Sequence, residues 1–320
     1  MATENTIHPP SAIRHPHPIF IAGPTAVGKS EIALRLAETV GGEIISVDSM
    51  QVYRGLDIGT AKPTATERAR VAHHLIDVAE LTEPFDAAQF VARARNAVTE
   101  IQSRGHRPIF CGGTGLYFKA FLEGLGAAPP ANAELRVELE AAPLPELLRE
   151  LEQRDPATFE TIDRQNPRRV IRAMEVIRLT GKPFSAQRAG WSPSSNQPPA
   201  STPYIGLSRP AADLHPRINA RVEAMFARGL SEETRHLLDH GLAQNQTAMQ
   251  AIGYRQVVEH LRGDRSLAET IELVKSKTRQ YAKRQMTWFR KHASLEWMEL
   301  NASHSPEEIA RRLAANFQGG

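Results

Sequence analysis

Residues 18–48 read PIFIAGPTAVGKSEIALRLAETVGGEIISVD, and this stretch decides the fold. An apolar run, Pro18–Ala22, has the length of a buried strand and ends at a glycine. Gly23, Pro24, Thr25, Ala26, Val27, Gly28, Lys29 and Ser30 then satisfy G-x-x-x-x-G-K-[ST] at every defined position. A helical pattern from about Ser30 to Val40 follows, stopped by Gly41-Gly42, and a second apolar run, Glu43–Asp48, reads as the next strand. Strand, glycine-rich loop, helix, strand is the order in which a parallel sheet covered by helices is built. In that setting the glycines let successive backbone N–H groups converge on phosphate oxygens, and the helix start adds its own field. Lys29 supplies a point charge, and the Ser30 hydroxyl is a candidate Mg²⁺ ligand. The loop is expected to bind a di- or triphosphate, ATP among them. It does not say whether phosphorus is transferred or a phosphate group departs.

Working outward, Pro108–Cys111 and Tyr204–Leu207 are further strand candidates. Ala87–Arg104 reads as a helix capped by Asp86 and closed by Gly105. From Gly124 to Ala200 no strand pattern occurs, and helices alternate with Pro-rich turns. Nine acids fall in 134–163, whereas seven basic residues and one acid fall in 164–188. There Asn166 is expected to cap, and Pro167 to open, a helix with Val170, Ala173, Met174 and Ile177 on its apolar face, ended by Gly181 and Pro183. A Pro- and Ser-rich linker, Trp191 to Pro203, returns to the sheet. Helical patterns over 214–241 and 266–292 follow, and Ser305-Pro306-Glu307-Glu308 reads as the capping box of a last helix. The expected organisation is α/β. A flexible tail (1–17) precedes the first part of a P-loop NTPase-like parallel-sheet core (18–123). An inserted all-helical domain with its linker (124–203) and the rest of the core with basic C-terminal helices (204–320) complete the chain.

The composition bounds the class. At 320 residues, 41% hydrophobic and 23% charged, the chain has the material for a sizeable core. One cysteine, Cys111, excludes a disulfide framework and fits a reducing, cytoplasmic location. No run of about 18 apolar residues argues for a membrane span, and nothing in the sequence calls for more than a monomer. The formal charge is only +3, so basic surface has to come from clustering. Clusters exist. Lys275, Lys277, Arg279, Lys283, Arg284, Arg290 and Lys291 accumulate between Glu272 and Glu296, with Val274, Thr278, Tyr281, Gln285 and Phe289 placed to pack inward. Arg164, Arg168, Arg169, Arg172 and Arg178 form a second stretch. Two basic stretches suit a phosphodiester backbone, although a solvated helix face also produces such runs.

Around the loop, Asp48 stands just past a strand's carboxyl end, on the edge where open α/β sheets bind ligands. Three roles are open to it: Mg²⁺ ligand, general base, or cap of the following loop. Thr114, in Gly112-Gly113-Thr114-Gly115, can reach the same crevice or cap the next helix. Arg217 and Arg221 stand four apart on a helix, and Arg255 lies between helices; each could face an anion. His73-His74 and Cys111 read as structural.

Taken together, GPTAVGKS (23–30), ISVDSMQVYRGLDIGTAKP (45–63), HHLID (73–77), GGTGLYFKAFLEGL (112–125), NPRRVIRAMEVIRLTGKP (166–183), AIGYRQ (251–256) and TRQYAKRQMTWFR (278–290) resemble the tRNA dimethylallyltransferase family, also called tRNA isopentenyltransferases. The resemblance implies transfer of a dimethylallyl group from dimethylallyl diphosphate to N6 of adenosine 37 in tRNAs reading codons that begin with U. In that chemistry the loop holds a leaving diphosphate with Mg²⁺, Arg221 and Arg255, while Asp48 and Thr114 serve catalysis. The resemblance further implies that Asp48, Ser49, Met50, Gln51, Thr114, Arg136, Arg168, Arg169, Val170, Ile171 and Arg172 contact the tRNA anticodon arm, with the insertion as a clamp. A small-molecule kinase, a prenyltransferase acting on free AMP and a nucleotide-gated RNA-binding switch are the rival classes.

Overall fold

The computed structural model describes residues 16–126, 128–188 and 204–317. Most of the tail and the linker Trp191–Pro203 lie outside them. Six described strands, β1 (Ile19–Ala22), β2 (Gly42–Val47), β3 (His73–His74), β4 (Arg107–Gly112), β5 (Tyr204–Ser208) and β6 (Glu296–Glu299), form one sheet in the order β3-β2-β4-β1-β5-β6. Every pairing is parallel. Central β1 sits between β4 and β5, with Ile21 opposite both Cys111 and Ile205. It is buried along its whole length, which is why IFIA is a continuous apolar run and not an alternating one.

The helices in chain order are α1 (Lys29–Val40), α2 (Ala65–Arg70), α3 (Ala87–Ser103), α4 (Gly115–Glu123), α5 (Ala133–Ala141), α6 (Leu144–Arg154), α7 (Pro156–Thr161), α8 (Pro167–Thr180) and α9 (Phe184–Arg188). After β5 come α10 (Ala211–Ala227), α11 (Leu230–Asp239), α12 (Tyr254–Leu261), α13 (Leu267–His292) and α14 (Pro306–Ala315). α1 buries Ile32, Leu34 and Leu36 against the sheet and ends at Gly41, whose φ of 63° is left-handed, as the Gly-Gly stop requires. Ile309 and Leu313 of α14 and Leu214 and Ile218 of α10 complete that core. Each such side chain contributes roughly 1.5–3 kcal/mol by leaving water.

The chain divides into two compact units, and the second, residues 86–91 with the helices that follow Leu116, is helical throughout its described residues. It begins at Leu116, inside α4, and not at Gly124, because the apolar face of α4 belongs to it: Phe90 and Tyr117 stack with ring centroids 4.4 Å apart. Its core joins Leu139, Leu147 and Leu151 to the Val170, Ala173, Met174 and Ile177 face of α8. The sorted charges of the sequence meet there. Arg178 bridges Glu138 and Glu150, while Arg136 and Arg172 converge on Glu175, a fully buried carboxylate.

Several local expectations are revised. Asn166 occupies the start of α8, but its side chain caps nothing; its backbone carbonyl accepts from Arg169 and Val170 instead. The stretch expected to be helical at 214–241 is α10 and α11, parted at Gly229, whose φ is 97°. Ser305 accepts from the Glu308 amide, which is one half of the expected capping box. Strands β3 and β6 were not legible, the first being two residues long and the second, EWME, carrying acids at both ends.

Candidate active site

Parallel strands send their carboxyl ends to one edge. The phosphate loop follows β1, Asp48 follows β2, Gly113-Thr114 follows β4 and Arg209 follows β5. Gly23 is required by close approach: a Cβ there would lie 2.5 Å from the Leu207 carbonyl oxygen. Gly28 has φ 111° and begins α1, and Ala26 adopts a left-handed φ of 63°. Side chains that donate to the loop carbonyls hold this turn. Lys29 Nζ donates to Pro24 O at 2.7 Å, Arg217 Nε to Ala26 O at 3.0 Å and Arg209 Nε to Val27 O at 2.9 Å. Three carbonyls of the loop are thus engaged by side chains, and the Thr25 amide by Gln285. Burial drives the Lys29 ammonium down to about 8; the nearby Cys111 thiol and Asp48 pull it up, and Arg221 pushes it down.

Two cavities open on the loop. The first, about 610 Å³, is lined by Gly28, Lys29, Ser30, Gln51, Lys62, Arg217 and Arg221 among others. The second, about 350 Å³, is lined by Thr25, Asp48, Ser49, Met50, Arg221, Thr278, Tyr281 and Arg284 among others. Arg221, half-buried on α10, borders both. Desolvation lowers its pKa, with the charge of Asp48 working against the shift. Asp48 Oδ1 accepts from the amides of Met50 (2.8 Å) and Gln51 (3.2 Å). The cap geometry considered for Asp48 is therefore present on one oxygen, and Oδ2 has no hydrogen bond among the described residues. Thr114 Oγ1 accepts from the Ser49 amide at 3.1 Å, so the hydroxyl proton is left to donate elsewhere.

The remaining expectations divide. Ser49 and Met50 line the second cavity with Asp48, whereas Gln51 lines the first, held by Ser46 and by the carbonyls of Thr60 and Ala61. Arg255 is not brought to the loop. It pairs with Glu259 at 3.1 Å and, with Lys277, lines a third cavity that shares Gln250, Ile252 and Arg284 with the Asp48 cavity but includes no phosphate-loop residue. In the second unit Val170 is fully buried in the core, so its side chain is structural. Ile171 packs against that core, and Arg136 and Arg172 serve Glu175; Arg168 and Arg169 are exposed. On α13, Lys275 belongs to an ion-paired cluster with Glu223 and Glu272 and drops out of the basic stripe, while Val274, Gln285 and Phe289 pack inward as expected. Ser30, the hydroxyl expected to take part in Mg²⁺ coordination, stands at the exposed start of α1; no group of three His, Cys, Asp or Glu fit to hold a metal occurs among the described residues. That donor set suits Mg²⁺ carried largely by phosphate oxygens and water.

Arg209, Lys62 and Gln285 are site-building residues that sequence reasoning did not single out as such. Lys62, with its side chain 2% exposed, donates to Tyr53 O, Asp57 and Asp77 and so braces the segment carrying Ser49–Gln51. A lysine between apolar neighbours carries no such signal in the sequence. His73 and His74 are structural: His73 Nδ1 meets Val71 O, and His74 joins Arg104 and His106 around Glu43.

Fold and site define an α/β protein with a P-loop NTPase-like core in which a carboxylate faces the phosphate cradle across a shared arginine. A family model described as IPP transferase matches residues 51–292. The tRNA dimethylallyltransferase of Geobacter sulfurreducens is 46% identical over 89% of this chain and 92% of its own length. That of Pelotomaculum thermopropionicum is 41% identical, covering 94% and 96%. Among solved structures, a tRNA isopentenylpyrophosphate transferase from Bacillus halodurans superposes with a TM-score of 0.67 at 39% identity, covering 94% of this chain and 97% of that one. A eukaryotic dimethylallyltransferase acting on tRNA gives 0.76 at 27% identity, covering 94% and 78%. The chain belongs to the IPP transferase family.

Proposed function

We propose that this protein transfers the dimethylallyl group of dimethylallyl diphosphate to N6 of adenosine 37 in tRNAs reading codons that begin with U, releasing diphosphate. The observation that carries the proposal is Arg221, which borders both the phosphate-loop cavity and the Asp48 cavity. A donor diphosphate in the first cavity and an extruded adenine in the second would meet at that residue. An exocyclic adenine amine is a weak nucleophile, because its lone pair is delocalised into the ring. As the C–N6 bond forms and the allylic C–O bond breaks, Asp48 Oδ2 takes the amine proton and the electron pair leaves with the diphosphate. Lys29, Arg221 and the loop amides stabilise the negative charge that develops, and the Thr114 hydroxyl donates to the departing oxygen. Ser30 would hold Mg²⁺, which supplies further charge neutralisation on the diphosphate. Extruding the base costs a few kcal/mol, which exposed cations such as Arg168 and Arg169 would help to offset through phosphodiester contacts.

The test incubates the purified protein with unmodified tRNA, Mg²⁺ and labelled dimethylallyl diphosphate, followed by digestion to nucleosides. Label on adenosine is expected; label that stays on the donor while phosphorus moves to an acceptor refutes the reading.

A further inference from the structure

The sides of the site that hold the leaving group and the base belong to loops far apart in sequence, and a side chain from a third element joins them. Gln285 lies on α13 and is 7% exposed. Its Oε1 accepts from the Thr25 amide at 2.9 Å, and its Nε2 donates to the Gly113 carbonyl at 2.9 Å. Thr25 is inside the phosphate loop, and Gly113 immediately precedes Thr114, whose hydroxyl accepts from Ser49 beside Asp48. One amide side chain therefore closes a relay from the diphosphate cradle to the proton acceptor.

We infer that Gln285 is a positioning residue that sets the separation between the phosphate loop and the Thr114–Asp48 pair, and so the alignment of donor and acceptor in the reaction proposed above. Three features of the structure support this. Both functional groups of the amide are used with good geometry, so a side chain lacking either group loses one loop. The residue opposite is Gly113, where a Cβ would fall 2.2 Å from Gln285 Nε2; the close approach leaves room for nothing else. Gln285 also lies on the face of α13 that serves the site. Tyr281 and Thr278 line the Asp48 cavity one and two turns earlier, and Trp288 covers Gly115, where a Cβ would fall 2.1 Å from its ring. A misplacement of about 1 Å between reacting groups lowers turnover up to about a hundredfold while leaving binding largely intact.

The inference rests on the proposed reaction, and the experiment separates the two. Wild type, Gln285→Met and Gln285→Glu are compared for single-turnover rate at saturating tRNA and donor, KM for each substrate, and thermal unfolding midpoint. Gln285→Met keeps volume and removes both hydrogen bonds; it should lower the rate at least tenfold with KM for tRNA unchanged. Gln285→Glu can still accept from Thr25 but sets a charge against the Gly113 carbonyl and near the diphosphate. It should raise KM for the donor as well. Gly113→Ala, which displaces Gln285 from the opposite side, should reproduce the rate loss of Gln285→Met. Rates within twofold of wild type, or losses no greater than the folded fraction at the assay temperature, overturn the role of Gln285. If Gln285→Met does not fold, a normal rate in Gln285→Glu overturns it equally. An inactive wild type would instead sink the reaction itself.

Discussion

The protonation of Lys29 offers a sharp test of the phosphate cradle. Burial lowers its pKa from an ordinary 10.5 to about 8. The unfolded chain therefore holds this proton about 2.5 units longer than the free protein does. The resulting cost to stability is fully present below about pH 8 and disappears as pH rises from 8 to 10.5. At 1.36 kcal/mol per unit it is about 3 kcal/mol at most. A bound diphosphate reverses the balance, since its charges stabilise the ammonium in place. Two consequences are measurable. At pH 8 about half of the free protein carries the neutral amine, so binding takes up about half a proton at this residue. Between pH 8 and 9.5 the donor dissociation constant should weaken about sixteen-fold, as the fraction of competent ammonium falls. Calorimetry of dimethylallyl diphosphate binding at pH 8, in two buffers of different ionisation enthalpy, reads the first; titrations across the pH range read the second. Lys29→Met should weaken binding at pH 7 and abolish both effects, so the difference between the proteins isolates this group from ionisation of the ligand. Proton uptake near zero in the wild type, with a flat pH profile, would refute the assignment of Lys29 to the diphosphate.

Asp48→Ala should lose turnover by at least a hundredfold while keeping tRNA affinity, because a general base acts in the transition state; an equal loss of affinity in filter binding would make it a binding residue. Arg255→Ala should leave the donor KM within about twofold, since this residue pairs with Glu259 away from the loop; a tenfold rise would return it to the diphosphate site. Burial works to raise the pKa of Glu43, but hydrogen bonds from Arg104, His74 and His106 outweigh it and hold the carboxyl down to about 2. Its stabilisation is complete above about pH 4.5 and lost as pH falls through 2, so the wild-type melting temperature should drop over that window and Glu43→Gln should flatten the drop. Val170→Asp should destabilise the second unit by several kcal/mol, since it places an unpaired charge in that core, whereas Arg169→Ala should weaken tRNA binding with no change in melting temperature; the converse pattern would move the RNA contacts off Arg169.

The parts of this fold that local physics dictates were legible. The strand–loop–helix–strand run around the phosphate loop, the Gly41 stop and the apolar face of α8 each follow from period and capping, and each appears in the structure. What was not legible depends on long-range partners. β3 is a strand only because β2 lies alongside, and β6 pairs with β5 despite its two glutamates. The arginines of the second unit read as an RNA face, yet three of them, Arg136, Arg172 and Arg178, neutralise acids of neighbouring helices. A charge pattern along one chain cannot reveal which opposite charge the fold will bring to it. The same holds for the site. Asp48 and Thr114 were found because they follow strands that end beside the loop, whereas Arg209 and Gln285 act through backbone atoms 172 to 260 residues away in sequence.

Lys29, Arg209 and Arg217 grip the carbonyls of the phosphate loop, so its shape is held by the protein's own side chains. The anion therefore meets a preorganised receptacle, and little of its binding energy is diverted to ordering the chain. Two of these holds come from Arg209 and Arg217, which follow the second unit in sequence. Truncating Arg209 or Arg217 would thus surface first as weakened grip on the small-molecule donor, since the core packing of β5 and α10 is left in place.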